Sequence, residues 1–165
     1  MADVGGIEMA HDVLVVGGDE VVVRVPAAAT GGRIAAVEVR MAAGGGPPGL
    51  HRHAACEVYR VEEGELAFYV EDDAGEVRRS VGSAGAVVPI AGGREHTIRN
   101  ESAAPARAYV VYSPGDGMES FARAAAALAA RGRPRMEEVV AIAGAHGIEM
   151  TRPLPPAGGS SEEGD

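Results

Sequence analysis

The sequence predicts an all-β fold, a sandwich or barrel of short strands, followed by two short α-helices. Three observations carry this. β-rich runs recur at regular short spacing between about residues 12 and 112. Turn-forming residues separate them. After Ser113-Pro114-Gly115 the apolar pattern changes to helical spacing.

In order, Val13–Val16 and residues 20–25 flank Gly17-Gly18-Asp19, a hairpin signal. Residues 33–41 form a strand whose facing the alternation leaves open, and residues 42–49 form a Gly/Pro loop. The runs 57–62 and 65–71 are separated only by Glu63-Gly64, a tight hairpin. Asp72-Asp73-Ala74-Gly75 makes another turn, and strands follow near 76–81, 86–90, 95–100 and 106–112. Gly45, Gly64, Gly82 and Gly93 read as turn positions. Helical spacing of Met118, Phe121, Ala122, Ala125, Leu128 and Ala129 predicts a helix over 116–131, stopped by Gly132. Met136, Val139, Val140 and Ala143 predict a second over 134–146, stopped by Gly147. The apolar stripes predict that both helices pack on the outer face of the barrel. The expected organisation is an N-terminal arm (1–11), one barrel (12–112) without internal repeat, a helical segment (113–150) and a disordered Pro/Gly/Ser/acid-rich tail (151–165).

Composition narrows the function. The 165 residues are 46% hydrophobic and 24% charged, enough for one domain with its own core. A net charge of −9, with scattered arginines of which only Arg78 and Arg79 are adjacent, argues against nucleic acid as a partner. A single cysteine, Cys56, excludes an intramolecular disulfide framework. Alternation places it away from the site described next, as a packing residue on the outer face. With neither a secretory signal nor a membrane-length apolar run in the sequence, a cytoplasmic protein with no membrane partner is expected.

The chemistry lies in Gly45-x5-His51-x-His53-x3-Glu57-x6-Gly64. Side chains two apart on an extended chain share a face, so His51 and His53 point together, and Glu57 opens the next strand where it can turn inward. Two imidazoles and a carboxylate suit a borderline divalent metal. His96, in Gly93-Arg-Glu-His96-Thr-Ile-Arg-Asn100, is the candidate fourth ligand from a distant strand. His11 and His146 match no ligand spacing and read as structural. Alternation from Glu57 points Tyr59 and Val61 inward, and Ile98 follows His96. On 106–112, either Tyr109 with Val111 or Val110 with Tyr112 faces in, and the pattern does not choose.

These two segments resemble the two motifs of the cupins. The first matches at every defining position. In the second, Pro89, Gly93, His96 and Asn100 fill the places, with Ala91-Gly92 as an apparent insertion and Glu95 where proline is usual. The glycine-rich Gly44-Gly45-Gly46-Pro47-Pro48 and the helical tail resemble the small single-barrel, quercetin-dioxygenase-like cupins. The resemblance covers about residues 12–112. It implies a double-stranded β-helix (jelly-roll) barrel, His51, His53, Glu57 and His96 as metal ligands, and a homodimer. A set of three histidines and one glutamate suits Fe(II), Mn(II), Ni(II), Co(II) or Cu(II), and Zn(II) can occupy it. The expected function is a metal-dependent dioxygenase or related oxidoreductase acting on a small hydrophobic, aromatic or diketone-like substrate, with Glu57 as ligand and proton acceptor and Tyr59 as the leading accessory residue. The alternatives are a non-redox isomerase, cyclase or lyase, and a non-catalytic small-molecule binder. The aliphatic surroundings suit a hydrophobic ligand better than a sugar phosphate.

Overall fold

A computed structural model describes residues 11–154. The chain runs β1 (Val13–Val16), β2 (Asp19–Val25), a 3₁₀ turn (Ala27–Thr30), β3 (Ala35–Met41), β4 (Gly49–Arg52), β5 (Cys56–Glu63) and β6 (Glu65–Glu71). It continues with β7 (Val77–Ser83), β8 (Val87–Ile90), β9 (His96–Arg99), β10 (Ala106–Ser113), α1 (Asp116–Ala129), α2 (Met136–Ala145) and β11 (Glu149–Pro153). One sheet has the order β1-β2-β3-β10-β5-β8 and the other β11-β4-β9-β6-β7, with every pairing antiparallel. Neighbouring strands distant in sequence, such as β3 beside β10 beside β5, give the jelly-roll connectivity that closes two sheets over one core.

Period-two alternation builds that core. Along β5 the burial alternates strictly, with Glu57, Tyr59 and Val61 inside and Cys56, Val58 and Arg60 outside. Val37, Val39 and Met41 of β3, Leu66 and Phe68 of β6, Ile90, Ile98, and Ala106, Ala108 and Val110 of β10 complete the packing. Tyr59 meets Phe68 edge to face at 5.5 Å between ring centres, a favourable aromatic geometry. Gly64 turns the β5–β6 hairpin at φ 73°, where a Cβ would also lie 2.8 Å from the Pro105 carbonyl oxygen. Helix α1 rests against β1, β3 and the 3₁₀ turn, and α2 against α1 and β11. No helix among the described residues is long and apolar enough to cross a membrane.

Four expectations change. The strand expected over 33–41 begins at Ala35, because Thr30 Oγ1 takes the Ile34 N–H at 2.8 Å and holds that residue in the preceding turn. Gly82 is inside β7 rather than in a turn; it is small because a Cβ there would press on Phe68 Cε2 at 3.2 Å and Ala86 Cβ at 3.1 Å. Cys56 faces away from the barrel interior as expected, but it is exposed rather than packed, and its sulfur accepts the Gly92 N–H at 3.4 Å. Most consequentially, the tail does not begin at 151: Glu149–Pro153 is β11, paired with β4. The rest of the expected tail from residue 155 and the arm up to residue 10 lie outside the described residues.

Candidate metal centre

Strand register lines up the side chains that meet at one end of the barrel. On the first sheet Ala35, Tyr112, Glu57 and Ile90 form one inward row across β3, β10, β5 and β8. On the second, Met150, His51, His96 and Val70 form a row across β11, β4, β9 and β6. His53 follows the end of β4, in the short link to β5. That link is braced by the 91–93 loop: the His53 carbonyl accepts the Gly93 N–H at 2.7 Å, and a Cβ on Gly92 would fall 2.1 Å from the Ala54 carbonyl oxygen. The apparent Ala91-Gly92 insertion thus braces the link that carries His53, and only glycine permits the approach.

All four expected ligands come together. The three imidazoles are buried, each offering a ring nitrogen within 4.8 Å of the others. Glu57 Oε1 lies 2.8 Å from His53 Nε2 and 3.5 Å from His96 Nε2. His51 Nδ1 contacts the Gly49 carbonyl at 3.2 Å and His96 Nδ1 the Arg94 carbonyl at 2.8 Å. An imidazole donating its Nδ1–H to a carbonyl keeps an Nε2 lone pair free for a metal. The buried donor atoms say the same: Glu57 Oε2 has no hydrogen-bond partner, and His53 Nε2 and His96 Nε2 have only the Glu57 carboxylate beside them. Buried polar atoms ordinarily find partners, so donor atoms that converge on one point with only one another beside them mark a place for an ion. The residues therefore fit a divalent metal, with coordination positions left for a ligand.

The electrostatics are those of a site prepared for a cation. Burial would raise the Glu57 carboxyl, but His53 and His96 outweigh it and hold it at about 2, so it is ionised. Burial, reinforced by His96, lowers His51 to about 4, leaving it neutral. Burial also works against protonation of His96, yet the Glu57 carboxylate prevails and raises it above 6.5. Burial pushes the Tyr59 phenol well up, with Glu57 and Tyr112 adding to it. Tyr112 rises from burial and from Glu57 as well. Both are neutral hydroxyls beside the carboxylate. Val110, fully buried, and Tyr112 are thus the inward pair on β10. Ile98 follows His96 inward as expected.

The structure closes one alternative that the sequence left open and adds one feature that the sequence did not show. Tyr112 shares the Glu57 row, one row nearer the site than Tyr59, which sits beside Val110. Met150 pairs with His51 on β11 and so takes the same face. His11 and His146 stay outside the cluster: His11 contacts the Val23 carbonyl at 3.2 Å and His146 the Ser120 hydroxyl at 3.0 Å.

A two-sheet jelly-roll barrel with a buried three-histidine cluster at one end is the class defined so far. The family model described as "Cupin domain" matches residues 37–112, and the barrel has the cupin fold. The chain is similar to oxalate oxidase, with 26% identity and a TM-score of 0.51, over 60% of this chain and 53% of that one. It is also similar to the oxalate decarboxylase of Bacillus subtilis, with 19% identity and a TM-score of 0.55, over 64% of this chain and 28% of that one. This chain therefore spans about half of the first and under a third of the second. A search of the curated proteins finds no match.

Proposed function

We propose that the protein is a metal-dependent oxidoreductase of the dioxygenase kind, acting on a small hydrophobic aromatic or diketone-like molecule, with His51, His53, Glu57 and His96 as the ligands. The single observation that carries this reading is the convergence of three buried imidazoles and an ionised carboxylate on one point, with Glu57 Oε2 left without a partner. The likeness to oxalate oxidase supports oxidative chemistry. Oxalate itself suits this site poorly: the rows beside the ligands supply Ala35, Tyr112, Ile90, Val70 and Met150, with no cation to pair a second carboxylate. A small-molecule substrate with an apolar body and one enolisable or hydroxyl oxygen suits them better. The small quercetin-dioxygenase-like cupins and a homodimer belong to the same reading.

Bound at this point, a divalent ion would polarise a substrate oxygen as a Lewis acid. Glu57, ionised and with Oε2 unpaired, accepts the proton that such an oxygen or its neighbouring carbon gives up. Tyr59 and Tyr112 keep their protons beside the carboxylate and are placed to donate to a substrate oxygen. The aliphatic walls exclude water from the proton transfer.

The test is oxygen uptake by Fe(II)- or Mn(II)-loaded protein offered a panel of flavonol-like and β-diketone substrates. Oxygen consumed in step with substrate is the expected result, and Glu57→Gln should lower turnover by about 10²-fold or more while the barrel stays folded. Turnover without oxygen uptake would replace this reading by a non-redox isomerase, cyclase or lyase. Saturable binding without turnover would make the protein a binder.

Metal affinity should also depend on pH with a defined sign. Ligands must be deprotonated to bind, so protons compete wherever the folded apoprotein holds them. His96 titrates above 6.5, so apparent affinity should fall about tenfold per pH unit below that folded value. His51 adds a further proton near pH 4, where the slope should steepen. Chelator competition at several pH values measures both limbs.

A further inference from the structure

The strand carrying His51 is held in an unusual way. Between β4 and β9 the ladder consists, among the described residues, of the single pair His51 with His96. On its other side β4 pairs with β11 through Arg52–Glu149, His51–Met150, Leu50–Arg152 and Gly49–Pro153. Gly49 admits this close approach: a Cβ there would lie 2.7 Å from the Arg152 carbonyl oxygen. The strand is delivered by α2, whose cap returns the Ile148 N–H to the Ala143 carbonyl at 2.9 Å, with Ile148 and Ala143 both buried. Outside the sheet, Arg152 Nε donates to Glu95 Oε1 at 2.7 Å, and Arg52 Nη2 lies 3.4 Å from Glu95 Oε2 and 3.4 Å from Glu71 Oε2. The Glu95 N–H donates to the Glu71 carboxylate at 2.8 Å. Glu95, itself largely buried, is the residue before His96, and Arg52 is the residue after His51.

We propose that β11 is the clamp of the metal centre. Through its ladder and the Arg152–Glu95–Arg52 bridge it sets the separation of the strands bearing His51 and His96, so docking of this strand and metal loading are coupled. Arg152 is a positioning residue that touches no metal ligand. Coupling is reciprocal: a clamp that tightens metal binding must itself be tightened by metal. The proposal rests on the metal reading above.

The experiment uses the full chain, with Co(II) as the probe. Affinity is measured by chelator competition, apoprotein stability by thermal melting, and amide hydrogen exchange over residues 149–153 with and without Co(II). Arg152→Ala should weaken Co(II) binding by about tenfold, with the apoprotein melting point nearly unchanged because the arginine is more than half exposed. Arg152→Lys should recover part of the loss. In the wild type, Co(II) should slow exchange over β4 and β11 more than over the β1–β2 hairpin at the edge of the other sheet. Stoichiometric Co(II) binding by the wild type with unchanged affinity in Arg152→Ala would overturn the clamp alone. So would exchange over 149–153 indifferent to Co(II). A wild-type chain that takes up no Co(II) would overturn the metal reading and the coupling together.

Discussion

His96→Ala is expected to reduce metal retention by several orders of magnitude while leaving the barrel folded. The loss is large because His96 is the one proposed ligand from the second motif, and its Nδ1 contact with the Arg94 carbonyl orients the ring. Removing it also leaves Glu57 with a single close imidazole, His53 at 2.8 Å, to offset its buried charge. The fold should survive because the packing of Phe68, Ile98, Val61 and Val110 lies deeper in the barrel than the ligand rows. Metal content by elemental analysis, with far-ultraviolet circular dichroism as the control for folding, checks both halves. Full metal content in the variant would refute the site.

Asn100→Ala should have the opposite profile, a large loss of stability without loss of a ligand. Asn100 is fully buried, and its amide nitrogen donates to the Met41 carbonyl at 3.1 Å and the Ala104 carbonyl at 2.7 Å. Its side-chain oxygen accepts the Ser102 N–H at 3.0 Å and the Ser102 hydroxyl at 2.7 Å. The alanine variant leaves these partners facing a void. Each buried unsatisfied group costs about 1–3 kcal/mol, so a loss of roughly 3 kcal/mol or more is expected. For a chain of this size that corresponds to a melting point lower by on the order of 10 °C. A drop of only a degree or two in a thermal melt would show that the 100–104 turn reorganises around the change.

Where spacing alone decides geometry, the sequence was sufficient. His51, His53 and Glu57 could be placed on one side because alternation and a short link leave the chain few ways to arrange them, whereas His96 was a candidate that only the second motif pointed to. Tyr59 and Val61 follow from the strict alternation of β5. On β10 the run Ala-Tyr-Val-Val-Tyr is apolar on both faces, so no contrast marks the inner side, and only its register with β3 and β5 selects Tyr112. Strand β11 was illegible for a different reason. Its residues, Glu-Met-Thr-Arg-Pro, carry no strand signature and run into a Pro/Gly-rich stretch, yet an edge strand with its proline at the end tolerates that composition. Its partner β4 is about a hundred residues away in sequence, beyond the reach of any local pattern.

The buried donor atoms of the ligand cluster also tie the lifetime of the protein to the supply of metal. Glu57 Oε2 has given up water without gaining a partner, and His53 Nε2 and His96 Nε2 have only the one carboxylate between them, which burdens the metal-free fold. An ion that binds only the folded chain repays this by mass action, adding about 2.7 kcal/mol at a hundredfold excess over its dissociation constant. The melting point should therefore keep climbing with the logarithm of free metal concentration after the site is full, as a thermal-shift titration would record. In a cell short of that metal, a larger fraction of the chains would open and be degraded, so abundance as well as activity would follow metal supply.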